Sequence, residues 1–587
     1  MSRYRRCVMA LQSAYERYSD ITVEYDVMAQ MRDGTLLYAD LYRPTRSGPF
    51  PVLLMRLPYN KAQAEDLTYH HPAWYARQGF LVVVQDTRGC FRSEGDFYPF
   101  AHEASDGFDT VEWAASLPHA NGRVAMYGFS YVGATQLLAA TQRPPSLRTI
   151  CPGLTASQYY DGWTYNQGAF ALAFAASWAT NLAMNTARKI GDEAKLAQLA
   201  AAFAQAPAWY GSLPLKTYPP LASSGLAPYF FDWLSHPSYD DYWKQWSIDA
   251  DYSRITVPAL HIGGWYDVFI SGTVRNFVGL RHGAGTESAR AQQKLLVGPW
   301  YHLPWGQVTG CVDFGPEARN IVDLWQLRWL RQFLFDEDTG VLEKPVTVFV
   351  MGLNEWQEFD AWPPSGAEMR AFYLHSAGAA NSVNGNGRLS LDPPGAEPPD
   401  VYTYDPLSPV PSAGGRSCCF PAIAPMGPAD QGAVEVLNGV LVYTSAPLER
   451  DLLVVGPVQL ELYAASSAPD TDFTAKLCDV SPTGQSINIA QGIVRARYRE
   501  SLSDPHLLTP GEVVRYHIDL GPTAHAFRRG HCIRLQVSSS DFPHWDRNLN
   551  TGGPFAEEGL SAARVATQLV LHQDGFASRL LLSVLPV

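Results

Sequence analysis

No run in this sequence is both long and apolar enough to cross a membrane. The most apolar stretch, residues 168–184, is alanine-rich and interrupted by Ser177, Thr180 and Asn181. It is too short and polar for a span and reads as a buried helix. The amino terminus, MSRYRRCVMALQSAYERYSD, has basic residues but too short an apolar run for a secretory core before Glu16 and Asp20 follow. Cysteine is scarce, eight in 587 residues with no CxxC spacing, which excludes a disulfide framework. Cys418 and Cys419 are adjacent, a spacing that strains a mutual bond, and are read as reduced thiols in a cytoplasmic protein. Positive charge is outnumbered, 44 Lys+Arg against 57 Asp+Glu for a net −13, and no block forms a basic stripe, so a nucleic-acid partner is not expected. HExxH, zinc-spaced His/Cys clusters, a Walker loop and a dinucleotide glycine fingerprint are missing. Neither a metal nor a cofactor is expected.

What is present is material for sizeable cores: 46% of residues are hydrophobic and 12% aromatic. The length argues for roughly three or four domains. ITVEYDVMAQMRDGTLLYA (21–39) reads as a hairpin turning at Asp33-Gly34. Continuous apolar runs at 51–55, 80–84 and 124–127 alternate with helical stretches such as 107–117, the pattern of a parallel sheet covered on both faces. The alternation stops near Ile150, gives way to an Ala-, Trp- and Tyr-rich helical region, and resumes at 258–262 and 294–297. Beyond Asp336, short alternating runs separated by Gly/Pro-rich connectors suggest a β-sandwich or jelly roll. The resulting division is an extension (1–20), an α/β domain (21–148 and 249–343), a helical insertion (149–248) and an all-β domain (344–587).

The most informative segment is RVAMYGFSYVGATQLLAATQ, where a buried strand runs through Gly128-Phe129-Ser130 into a helix. A serine at such a turn is held with its hydroxyl exposed, and the helix amino terminus offers N–H groups to an oxyanion. The common elbow is G-x-S-x-G; here Val132 takes the second glycine position and Gly133 follows it. The alternative is a buried, hydrogen-bonded serine. A serine nucleophile needs a base and an orienting acid, and α/β-hydrolases supply them in the order Ser, Asp/Glu, His from loops after later strands. LHIGGWYD ends at Asp267 and LLVGPWYH at His302, each in such a loop.

These segments, with MRDGTLLYADLYRP, RLPYNK, QDTRGCFRSEGDF, DGFDTVEW, GGWYDVF and GHCIRLQVSSSDFPHWDRNLNTG, resemble the cocaine esterase / X-prolyl dipeptidyl aminopeptidase (CocE/NonD) group of serine hydrolases, from about residue 30 to about 552. The family elbow is G-x-S-Y-x-G, which the displaced Gly133 fits. The resemblance implies an α/β-hydrolase domain, an inserted helical cap and a C-terminal jelly roll. It also implies Ser130 as nucleophile, His302 as base, Asp267 as acid, and an oxyanion hole from the Tyr131 N–H and the Tyr59 hydroxyl. Arg88, in Asp86-Thr-Arg-Gly, is read as structural. Cap aromatics Trp163 and Trp178, together with Asp161 and Phe269, are the expected substrate contacts.

One departure narrows the substrate. Relatives that recognise an α-ammonium use a carboxylate cluster partly placed just after the catalytic Asp, whereas here Val268, Phe269 and Ile270 follow. Asp161 alone would be a weak amine site. The expectation is an esterase for neutral, bulky or aromatic acyl compounds, with a small-molecule ester or amide as its partner; a homo-oligomer is compatible with this. The competing readings are an amidase, acylase or X-prolyl-type peptidase of the same family, a biosynthetic acyltransferase, and a non-catalytic binding protein.

Overall fold

The computed structural model describes residues 20–66 and 69–586; the expected extension lies outside them except for Asp20. Ten strands form one sheet: β1 (Ile21–Gln30), β2 (Leu36–Pro44), β3 (Phe50–Leu57), β4 (Leu81–Asp86), β5 (Ala120–Phe129), β6 (Leu147–Gly153), β7 (Ala259–Gly264), β8 (Gln293–Gly298), β9 (Val346–Val350) and β10 (Glu355–Phe359). Their order is β1-β2-β4-β3-β5-β6-β7-β8-β9-β10. The hairpin β1–β2 enters antiparallel, and β4 through β9 run parallel. Every residue of β3 and β4 is buried. Their unbroken apolar runs suit strands covered on both faces, which leave no solvated face for an alternating pattern.

Two expected boundaries move. Strand β6 continues to Gly153, pairing with β5 on one side and β7 on the other, so the chain leaves the sheet after 153 rather than at 149. At the other end β9 and β10 belong to this sheet, which extends to Phe359 instead of closing at 343. The reason is visible in β9: all five residues are buried, Val346 lies opposite Leu295 of β8, and Thr347 accepts a hydrogen bond from Lys294 Nζ at 2.7 Å. An alternating reading of VTVFV hides that both faces are covered.

The insertion between β6 and β7 carries helices Leu172–Ile190, Glu193–Ala204 and Pro228–Ser235 and a two-residue hairpin, Tyr165–Asn166 with Ala169–Phe170. None of the helices among the described residues is long and apolar enough to cross a membrane. From Glu368 to Leu585 eleven strands form a second sheet, in which the long strands Leu452–Ser466 and Val514–Phe527 pair along most of their length. Its core is continuous with the first domain: Trp265, Val297 and Phe349 pack in one cluster with Val454, Leu460 and Ala524. The all-β domain therefore closes over the carboxyl ends of β7 and β8, where ligands bind in open α/β sheets.

Candidate active site

Ser130 stands between β5 and the helix Tyr131–Ala140 with φ 64° and ψ −130°, partly exposed. Its N–H donates to the carbonyls of Gly153 and Leu154 at 2.9 and 3.2 Å, which fixes the turn against β6. The two glycines are explained by close approach. A Cβ on Gly128 would lie 2.2 Å from Val132 Cγ1, and one on Gly133 would lie 2.7 Å from the Gly153 carbonyl oxygen and 2.8 Å from Thr155 Cβ. The second glycine is needed at 133 because that turn of the helix crosses the end of β6. Val132 at the usual position meets no such restriction and packs among the buried side chains.

Asp267 and His302 follow β7 and β8 and meet: Asp267 Oδ1 and His302 Nδ1 are 2.7 Å apart, with both side chains essentially excluded from solvent. Asp267 Oδ2 also accepts the Phe269 N–H at 3.1 Å. The His302 ring lies edge-on between Phe129, the residue before Ser130, and Phe269, with centroid separations of 5.6 and 5.4 Å. The Asp267 loop is gripped from the all-β domain, where Ser417 bridges to Asp267 and Arg416 Nε donates to the Trp265 carbonyl at 3.1 Å. Two further Arg416 nitrogens donate to the carbonyls of Leu520 and Pro522, and burial pushes its guanidinium down to about 10. Cys418 and Cys419 come next and are joined as a disulfide, correcting the expectation of reduced thiols. Cys419 adopts a left-handed backbone conformation (φ 78°).

Tyr59 follows β3 and has its hydroxyl beside Ser130 and 3.1 Å from Trp178 Nε1. Burial raises its pKa above the ordinary phenol value, so it stays a neutral donor. Its loop is held by Asp86, whose carboxylate accepts the Lys61 N–H at 2.8 Å. Desolvation pushes Asp86 from the ordinary 3.8 up to about 6. Arg88 pairs with Asp106 at 2.7 Å and with Asp33 at 2.8 Å. Tyr131 opens its helix, where an N–H has no intrahelical acceptor. Its hydroxyl donates to Glu103 at 2.8 Å, and Glu103 in turn pairs with the buried Arg56 at 2.7 Å. Nothing in the local sequence marks that anchor.

Trp163 stacks on Phe269 with centroids 4.1 Å apart, and Trp178 meets Trp163 edge-on at 5.2 Å while stacking on Trp233 at 5.6 Å. These three expected contacts form one aromatic wall beside His302. Asp161 does not join it. Its carboxylate pairs with Arg275 at 3.2 Å and accepts the Gln167 N–H at 3.0 Å, within a neighbouring cavity whose lining also includes Asp519 and Arg416. The sequence reading missed Phe100, which stacks on Tyr159 at 3.7 Å and on Tyr131 at 5.2 Å, as well as the 416–419 segment. Phe100 lacks any periodic or motif signal that would single it out.

Residues 33–304 match the model of the X-Pro dipeptidyl-peptidase (S15) family, and residues 339–581 match that of the X-Pro dipeptidyl-peptidase C-terminal non-catalytic domain. The chain is 36% identical over 579 residues to a cocaine esterase of Rhodococcus sp. (strain MB1 Bresler), covering 96% of this chain and 99% of that protein. A solved α-amino acid ester hydrolase is 26% identical with a TM-score of 0.81 over 96% of this chain and 97% of its own. An aminopeptidase from a marine-sediment Thaumarchaeota archaeon is 25% identical with the same TM-score over 97% of each chain. With this fold, this elbow and these relatives, the chain belongs to the CocE/NonD, X-Pro dipeptidyl-peptidase (S15) family of α/β-hydrolases and is a serine hydrolase.

Proposed function

We infer that this hydrolase cleaves carboxylic esters with neutral, bulky or aromatic acyl groups, through an acyl-enzyme on Ser130. The observation that carries the reading is the 2.7 Å contact between Asp267 and His302 Nδ1, with the imidazole set against the residue preceding Ser130. A carboxylate on Nδ1 favours the tautomer whose Nε2 lone pair is open. That nitrogen takes the Ser130 Oγ proton as Oγ attacks the ester carbonyl carbon, and Asp267 stabilises the imidazolium. The carbonyl π electrons move to oxygen, which receives the Tyr59 O–H and the Tyr131 N–H. Collapse of the tetrahedral intermediate breaks the C–O bond, and His302 returns the proton to the leaving alcohol. Water then adds to the acyl-enzyme, gives its proton to His302, and releases the acid while Oγ is reprotonated.

Specificity follows from what lines the approach. Trp163, Trp178 and Phe269 offer apolar faces, while Asp161 is engaged by Arg275. A substrate ammonium would lose its hydration without a carboxylate to replace it. The names of the Rhodococcus esterase and of the solved ester hydrolase support ester chemistry; the engaged Asp161 argues against amine recognition of the aminopeptidase kind.

A fluorophosphonate probe followed by peptide mapping tests the nucleophile: one adduct on Ser130, absent in Ser130→Ala, is expected, and an adduct elsewhere would overturn the assignment. Comparing kcat/KM for matched aryl-acyl esters, their amides and α-amino acid esters tests the substrate class. The neutral ester is expected to lead, and a lead for the amino ester would sink the proposed specificity.

A further inference from the structure

The disulfide pair in the all-β domain sits against the imidazole of the first. The sulfurs of Cys418 and Cys419 and a ring nitrogen of His302 all lie within 4.8 Å of one another. Cys418 is buried in the same apolar cluster as Trp163 and Phe269, and Cys419 packs against that cluster. The position is fixed by the backbone bridge from Ser417 to Asp267 and by the Arg416 guanidinium donating to the Trp265 carbonyl. His302 Nδ1 is taken by Asp267, so Nε2 is the nitrogen left to coordinate.

We propose that Cys418, Cys419 and His302 form a redox-dependent site for a thiophilic divalent cation, loaded only when the disulfide is reduced, and that loading it shuts off turnover. A disulfide offers no thiolate. A dithiol opens the S–S bond by giving two electrons and its two protons and is itself oxidised to a disulfide; a phosphine gives two electrons and leaves as its oxide, with the oxygen atom and the two thiol protons coming from one water. A zinc or cadmium ion then displaces the two thiol protons and gains two thiolates and one imidazole. Zinc–sulfur bonds of about 2.3 Å in tetrahedral geometry place two sulfurs about 3.8 Å apart, so the two sulfurs must part to that distance once the bond between them is opened. Soft thiolates beside an imidazole favour zinc and cadmium over calcium or magnesium. In the oxidised form the imidazole remains open. The disulfide thus protects the base from soft metals, and reduction exposes it. The inhibitory half of this proposal rests on His302 being the base; the cation site itself does not.

The test uses the full chain, oxidised or reduced with a phosphine that is then removed, with the state checked by an intact mass differing by two hydrogens. Each form is titrated with cadmium, reading thiolate-to-cadmium ultraviolet absorption, bound metal after gel filtration, and turnover of an aryl ester. The other described cysteines, Cys90, Cys151, Cys311, Cys478 and Cys532, are free thiols and cancel in the difference. The expected result is one additional equivalent of cadmium in the reduced form, lost in Cys418→Ser/Cys419→Ser. Turnover should fall more than tenfold with loading and recover on adding a chelator, while the oxidised form is unaffected. Equal cadmium in both wild-type forms would overturn the site, and that comparison needs no variant. One extra equivalent with unchanged turnover would keep the site and instead overturn the assignment of His302 as base.

Discussion

The indole nitrogen of Trp178, on the cap, lies 3.1 Å from the hydroxyl of Tyr59, on the loop after β3. An indole N–H can only donate, so the Tyr59 oxygen must accept, and its own proton has to point elsewhere. Ser130 is a further hydrogen-bonding neighbour of the same hydroxyl. The inserted segment therefore constrains the orientation of the Tyr59 hydroxyl, the proposed oxyanion donor, before any substrate is bound.

Tyr59→Phe removes the proposed donor and leaves the ring. Loss of one such donor costs about 10²–10³ in kcat, and the KM for an aryl ester should move much less. Trp178→Phe removes only the orienting bond, a contribution of about 1 kcal/mol or roughly fivefold. Steady-state kinetics on both variants checks the ranking; equal losses would show that Trp178 acts chiefly through its pocket face.

Asp267→Asn changes the partner of His302 Nδ1 while conserving volume. The amide can present an N–H to Nδ1, favouring the tautomer whose Nε2 already carries the proton. About 10⁴ in kcat should be lost, with near-native circular dichroism. A variant retaining a tenth of wild-type turnover would rule Asp267 out as the orienting acid.

Gly133→Ala drives a methyl toward the Gly153 carbonyl and Thr155, neither of which is the end of a flexible chain. Overpacking of this sort costs about 1–3 kcal/mol. Because the same helix presents the Tyr131 N–H, kcat should fall along with the denaturation midpoint. Urea unfolding and kinetics on one preparation would check both.

Asp86→Asn probes a buried carboxyl. Since burial raises this group from 3.8 to about 6, the folded protein holds the proton more tightly than the unfolded chain. Ionising it therefore costs stability as pH rises through that window, and the cost persists above it. The asparagine variant cannot ionise. Its stability relative to wild type should improve by up to about 3 kcal/mol between pH 4 and pH 8. Thermal melts of both proteins across that range would show the trend, and a pH-independent difference would contradict it.

Much of the fold was legible because its signals are local. Unbroken apolar runs such as VLLM and LVVV announce strands covered on both faces, and Asp33-Gly34 announces the hairpin. The misplaced ends had local causes too: β9 reads as alternating although both its faces are buried, and β6 runs three residues beyond the point where the pattern fades.

The sequence by itself determined the elbow at Ser130, the strand-end loops bearing Asp267 and His302, and the family to which these segments point. Each is a short string whose chemistry depends on its immediate neighbours. Only the tertiary structure decided that Asp161 is engaged by Arg275, that Trp178 meets Tyr59, that Arg416 and Ser417 hold the loop bearing Asp267, and that the Cys418–Cys419 pair lies beside His302. Those contacts join residues more than a hundred positions apart. No periodicity or spacing encodes them, because they arise where parts of the chain distant in sequence bury their apolar faces against one another and the polar groups caught between must find partners.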